Sequence, residues 1–119
     1  MARAKKTLVN GITFDSKTEA DYYQVLLDKQ LDGEISNLSV QPSFELFPSF
    51  KLRNRTIRSM GYTPDFIYTI GSEAHIVEVK GYSRPEYLMR RKIFLWIYGE
   101  DYIFHEVKRK GKSFTDRVW

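Results

Sequence analysis

The chain has no cysteine, so disulfides and thiolate-held metals are excluded and the redox compartment is left open. It has no apolar run approaching the ~18 residues needed to span a bilayer. The amino terminus, Met1-Ala2-Arg3-Ala4-Lys5-Lys6, is basic but lacks the apolar segment of a signal peptide. An intracellular protein without a membrane partner is expected. Repeats, low-complexity tracts and internal boundaries are also missing, so residues 1–119 read as a single domain with a basic arm (1–7) and a basic, then aromatic, tail (108–119). Histidine is scarce. His75 and His105 stand apart without partners at metal-ligand spacing, and both read as structural.

What is present supports a folded core: 42% of the 119 residues are hydrophobic. The net charge is +4, unevenly placed. Residues 1–50 carry five Lys or Arg against seven Asp or Glu, and residues 51–119 carry fourteen against eight. The basic residues cluster: Lys51, Arg53, Arg55 and Arg58; Arg84, Arg90, Arg91 and Lys92; Lys108, Arg109, Lys110 and Lys112. Nucleic acid is the commonest polyanion such clusters meet, the alternative being ordinary solvated loops and helix faces.

The element pattern is mixed. Leu8-Val9 and Ile12 to Phe14 are extended, and Ser16 three residues before Glu19 is a capping box opening a helix over Lys17 to about Leu31. Ala20, Tyr23, Leu27 and Leu31 mark its buried stripe, and Asp32-Gly33 ends it. Ile35, Leu38 and Val40 lead to a first strand, Phe44 to Phe47, bounded by Pro42 and Pro48. Lys51 to Arg55 reads as a basic loop or hairpin tip. A strand bent near Gly61 and Pro64 follows from Ile57 to Ile70, then a Gly71-Ser72 turn and a strand from His75 to Lys80. Pro85 opens a second helix that runs to Tyr98, apolar on most sides and therefore expected to be buried. Tyr102 to Val107 is a last strand, parallel to the one before the helix.

One constellation carries chemistry. With a two-residue turn at Gly71-Ser72, residue 70 pairs with 73, which sets Asp65 opposite Glu78. Lys80, two residues on, shares that face. A four-residue loop keeps the three together and a three-residue loop separates them. Like charges opposite one another cost roughly 0.2–1 kcal/mol, a conflict that a divalent cation removes. The alternative is a cross-strand salt bridge in which Lys80 neutralises one acid. That leaves the other unpaired.

Pro64-Asp65, then Glu78-Val79-Lys80, after a helix carrying Glu19, resembles the PD-(D/E)XK nuclease superfamily over about residues 14–107. Within it, the chain looks most like small phage-type proteins and archaeal-type Holliday junction resolvases. The resemblance implies an α/β, restriction-endonuclease-like core of helix, three strands, helix and strand, with a mixed four-stranded sheet flanked by helices. It further implies Asp65 and Glu78 as Mg²⁺ ligands (Mn²⁺ substituting), the Val79 carbonyl as a third, Lys80 as the catalytic lysine, and Glu19 completing the site directly or through water.

Around this set, the capping box already accounts for a Glu at position 19, and both roles can hold together. Gln41 could face the site or be a solvated strand residue. Lys92 could reach phosphate or snorkel to the surface. Lys51, Arg53, Arg55, Arg58, Tyr82 and Arg84 are candidate DNA contacts. The expected activity is Mg²⁺-dependent DNA endonucleolysis, structure-specific and directed at branched DNA, by a homodimer. Alternatives are a nonspecific or sequence-preferring nuclease, an RNA nuclease, and a non-cleaving nucleic-acid-binding module of the same fold.

Overall fold

The computed structural model describes residues 6–80 and 84–119. Strands β1 (Thr7–Val9) and β2 (Ile12–Phe14) pair across Asn10-Gly11, both turn residues lying at positive φ as a tight hairpin requires. Helix α1 (Lys17–Leu31) starts at the expected cap, where Ser16 accepts the Glu19 N–H at 3.2 Å. Its buried face is Ala20, Tyr22, Tyr23 and Leu26. The expected stripe fails at Leu31, which is 85% exposed because nothing covers the last turn.

The chain then enters a five-stranded sheet. Its members are β3 (Ser36–Val40), β8 (Phe66–Ile70), β9 (Glu73–Lys80), β10 (Tyr102–Lys110) and β11 (Ser113–Val118), in spatial order β11-β10-β9-β8-β3. Helix α2 (Pro85–Tyr98) connects β9 to β10, and this pair alone is parallel. The fold is therefore α/β with a mixed sheet. Alternation along the strands divides the core. Phe66, Tyr68, Val77, Val79 and Val107 pack with Phe14 and the α1 face, while Ile76 and Phe104 pack on the other side with Tyr87 and Phe94 of α2. Phe66, Ile76, Val77 and Phe94 are wholly buried, each contributing about 1.5–3 kcal/mol.

Four expectations are corrected. Phe44–Phe47 is not a strand of the main sheet. Gln41, at φ 51°, and Pro42 turn the chain away, and β3 takes the edge position instead. The sheet has five strands rather than four, because the tail folds back as β11 across a turn with Gly111 at φ 63°. The bent strand from Ile57 to Ile70 is three strands: β6 (Arg55–Ile57), β7 (Met60–Tyr62) and β8. With β4 (Phe44–Phe47) and β5 (Phe50–Leu52), β6 and β7 build an arm in which β4 pairs β7 and β5 pairs β6. Finally, α2 buries only Tyr87 and Phe94, and its outer face leaves Trp96 85% exposed. The sheet and the base of the arm cover a single side of it.

The radius of gyration is 15.8 Å, above the ~13.5 Å of a compact chain this long, consistent with a projecting arm. Among the described residues no helix is long and apolar enough to cross a membrane.

Candidate functional site

The β8–β9 turn is the two-residue one, with Ile70 paired to Glu73 and Gly71 at φ 59°. Counting outward, Asp65 reaches Glu78 just past the last ladder pair, Phe66 with Val77. Pro64 has no N–H to extend the ladder. The Asp65 N–H donates to the Val77 carbonyl at 3.0 Å, one residue out of step. The Asp65 carboxyl accepts the Val79 N–H at 2.7 Å, and its carbonyl accepts the Gln41 N–H at 2.9 Å. Gln41 itself is exposed, in keeping with a solvated polar residue.

The two carboxyls are hydrogen-bonded to each other. Burial, then the Glu78 charge, push Asp65 well above the usual carboxylate range, against the pull of the Val79 N–H and Lys80. Glu78 is also raised by burial, although hydrogen bonds from Asp65 and the Tyr62 hydroxyl hold it down in part. The pair thus retains a proton more readily than two separate acids would.

Glu19 stands on the first turn of α1. Burial, the Asp65 charge and the Asp15 charge push it up to about 7. The Ser16 cap on the Glu19 N–H and the carboxyl's proximity to the acidic pair hold together in one residue. Lys80 closes the group: its charge acts on both Asp65 and Glu78, and its Nζ lies 3.7 Å over the Tyr87 ring. This cluster sits at the carboxyl end of β9, the end of a parallel strand where α/β sheets bind ligands.

A second polar set backs it and was not legible in the sequence. Glu106 neighbours Glu78 on β10 and is 4% exposed. It accepts from the Tyr87 hydroxyl at 2.5 Å and from Arg91 at 2.7 Å. Burial raises its pKa, but these two donors outweigh burial and hold it below the usual range. The reading of the histidines as separate is also corrected. His75 Nδ1 lies 2.8 Å from His105 Nε2, and His105 Nδ1 lies 2.9 Å from Asp116. The parallel register pairs His75 with Ile103 and so brings His105 two residues along on the same face.

Among the described residues no group of three or more His, Asp or Glu forms a ready metal cluster. Asp65, Glu78 and Glu19 offer hard oxygen donors, and burial first, with neighbouring acids second, raises the pKa of each. Of the candidate DNA contacts, Lys51, Arg53, Arg55 and Arg58 are exposed along the arm, Arg84 is exposed at the N-cap of α2, and Lys92 is exposed on α2. Tyr82 lies outside the described residues.

A family model described as "Protein of unknown function (DUF1064)" matches residues 2–113. The chain belongs to the DUF1064 family. No curated protein matches it. A solved structure titled "Crystal structure of SSO0001" is similar at 14% identity and a TM-score of 0.48, over 83% of this chain and 49% of the other. The chain therefore spans about half the length of that structure.

Proposed function

We propose that this DUF1064 protein is a divalent-cation-dependent DNA endonuclease with a restriction-endonuclease-like core, directed at branched DNA of the Holliday-junction kind. The observation that carries the reading is the Asp65–Glu78 pair. Two half-buried carboxyls are held together, both with raised pKa, beside Lys80 and within charge reach of Glu19. A sheet gains no stability from that pairing alone. It fits a hard cation such as Mg²⁺ or Mn²⁺, which takes one or two carboxylates and keeps several waters. Asp65 and Glu78 would hold the ion, with the Val79 carbonyl, and with Glu19 directly or through water.

Bound there, the ion supplies Lewis acidity toward a phosphate and lowers the pKa of a water. The chain's own residues do the rest. Tyr62 donates to Glu78 and fixes that carboxyl, and the Val79 N–H fixes Asp65. Lys80 offsets negative charge that builds on the phosphate in the transition state. The arm's exposed bases supply the sequence-independent attraction to a nucleic-acid backbone. A two-fold symmetric junction needs two such sites, so a homodimer belongs to the same reading.

The test is cleavage of labelled four-way junction, linear duplex, single-stranded DNA and RNA side by side, with Mg²⁺, with Mn²⁺ and with chelator. Paired nicks in the junction that vanish with chelator, in Asp65→Ala and in Glu78→Ala are expected. Near-normal turnover in either variant overturns the site. Equal cutting of linear duplex by a monomer would favour a general nuclease.

A further inference from the structure

The far half of the arm exposes apolar side chains that the fold leaves unused. Strands β5 and β6 pair Phe50 with Ile57 and Leu52 with Arg55, so these four share one face, with Lys51 and Thr56 on the other. Phe50 is 48% exposed and Leu52 49% exposed, and Phe47, just before them, is 36% exposed. A two-stranded ribbon of three residues a side is marginal by itself in water, and an uncovered apolar face on it calls for a partner. The charge identifies which. Between Glu45 and Asp65 there is no acidic residue, whereas Lys51, Arg53, Arg55 and Arg58 crowd the ribbon. Arg53 occupies the tip at φ 54°, a position that Gly or Asn fills at lower cost. The base of the arm is anchored on α2: Arg90 donates to the Gly61 carbonyl at 3.0 Å, and Tyr98 to the Glu45 carbonyl at 2.6 Å. A fixed base with a basic, apolar tip is the chemistry of a wedge. Cations draw it to phosphates while apolar groups enter between base steps and partly unstack them.

We propose that the β5–β6 ribbon is a base-unstacking wedge that sets Phe50 and Leu52 against exposed base faces at a branch point in DNA. This deepens the nuclease reading and rests on its DNA substrate, but not on the metal site. Unstacking costs least where stacking is already weakened, so the wedge favours a branch point over a fully stacked duplex.

The experiment uses the full chain with chelator, so that nothing is cut, and a synthetic four-way junction carrying 2-aminopurine beside the branch. Binding is read by anisotropy and unstacking by 2-aminopurine fluorescence. The parent should bind and raise the fluorescence severalfold. Phe50→Ser/Leu52→Ser should bind within a few fold, with the same salt slope, and lose most of the rise. Arg53→Ala/Arg55→Ala should bind more weakly, with the salt slope reduced by about one unit for each phosphate no longer neutralised. Because the chain has no cysteine, Leu52→Cys also provides a single site for disulfide trapping to a thiol-tethered base at the branch, and trapping there is expected over a base in the duplex arms.

Binding by the parent without a fluorescence rise, or a full rise in the serine variant, overturns the wedge and leaves the nuclease reading standing. A dimer in the parent that the serine variant loses would assign the apolar face to a second copy of the chain and also overturn the wedge. Failure to bind junction, duplex, single strand or RNA removes the nucleic-acid reading itself.

Discussion

The Asp65 carboxyl accepts the Val79 N–H at 2.7 Å, standing in for a strand that ends one residue too soon. A single side chain therefore does two jobs. It closes the frayed end of the β8–β9 ladder, and it supplies half of an acidic pair whose charge the fold must tolerate.

Asp65→Asn separates those jobs. The amide oxygen still accepts from Val79, while one charge leaves the pair. In chelator at neutral pH the variant should be more stable than the parent by about 0.5–2 kcal/mol. Asp65→Ala should fall below Asp65→Asn, because it leaves the Val79 N–H unpaired, a loss of about 1–3 kcal/mol. Added Mg²⁺ should narrow the asparagine advantage by stabilising only the parent. Urea denaturation decides it, and an asparagine variant less stable than the metal-free parent would mean that Lys80 and hydrogen bonds already satisfy both acids.

Glu19 gives the pH dependence. Its pKa rises from 4.5 to about 7 on folding, through burial first and then Asp65 and Asp15. The folded state holds the proton more tightly, so the contribution is fully present below pH ~4.5 and is lost as pH rises through about 7. Glu19→Gln should therefore gain on the metal-free parent between pH 5 and pH 8, by less than the full shift implies because the group is partly solvated. A stability difference independent of pH across that window would place Glu19 away from the acidic pair.

Much of this site could be read from the sequence because it is local. A hairpin with a two-residue turn fixes its own register, so Asp65, Glu78 and Lys80 follow from counting along fifteen residues or so. The cap at Ser16 and Glu19 is equally local. What could not be read depends on distant pairing. Glu106, His105 and Asp116 reach their partners through the β9–β10 register and the β11 return, set by how α2 packs rather than by any short pattern. The displaced first strand has a local cause, Gln41 at positive φ before Pro42, but a glutamine does not announce that conformation.

The Arg91–Glu106 pair should prove structural. Arg91→Met leaves Glu106 buried with only the Tyr87 hydroxyl, and should lower stability by about 3–5 kcal/mol. Adding Glu106→Gln to that variant should recover much of the loss, since no unpaired charge remains. The parent's contribution from Glu106, whose folded pKa is depressed, is present above the unfolded carboxylate pKa and lost as pH falls through the folded one. A double variant no more stable than Arg91→Met alone would show that the guanidinium is held for packing.

Tyr87 links the two polar sets, since its hydroxyl binds Glu106 while its ring lies 3.7 Å under the Lys80 Nζ. We expect the ring to position Lys80. The interaction is worth roughly 0.5–2 kcal/mol, so Tyr87→Leu should lower kcat by about 5–30-fold for the larger part of that range. KM and metal affinity should change little. Tyr87→Phe keeps the ring and should stay near parental turnover, at some loss of stability from the hydrogen bond to Glu106. The decisive comparison is a cycle with Lys80→Ala. If Tyr87 acts through the lysine, Tyr87→Leu should cause no further loss of kcat once Lys80 is gone. Fully additive losses would mean that the ring contacts substrate directly or merely supports the core, and the positioning role would fail whatever the size of the single effects.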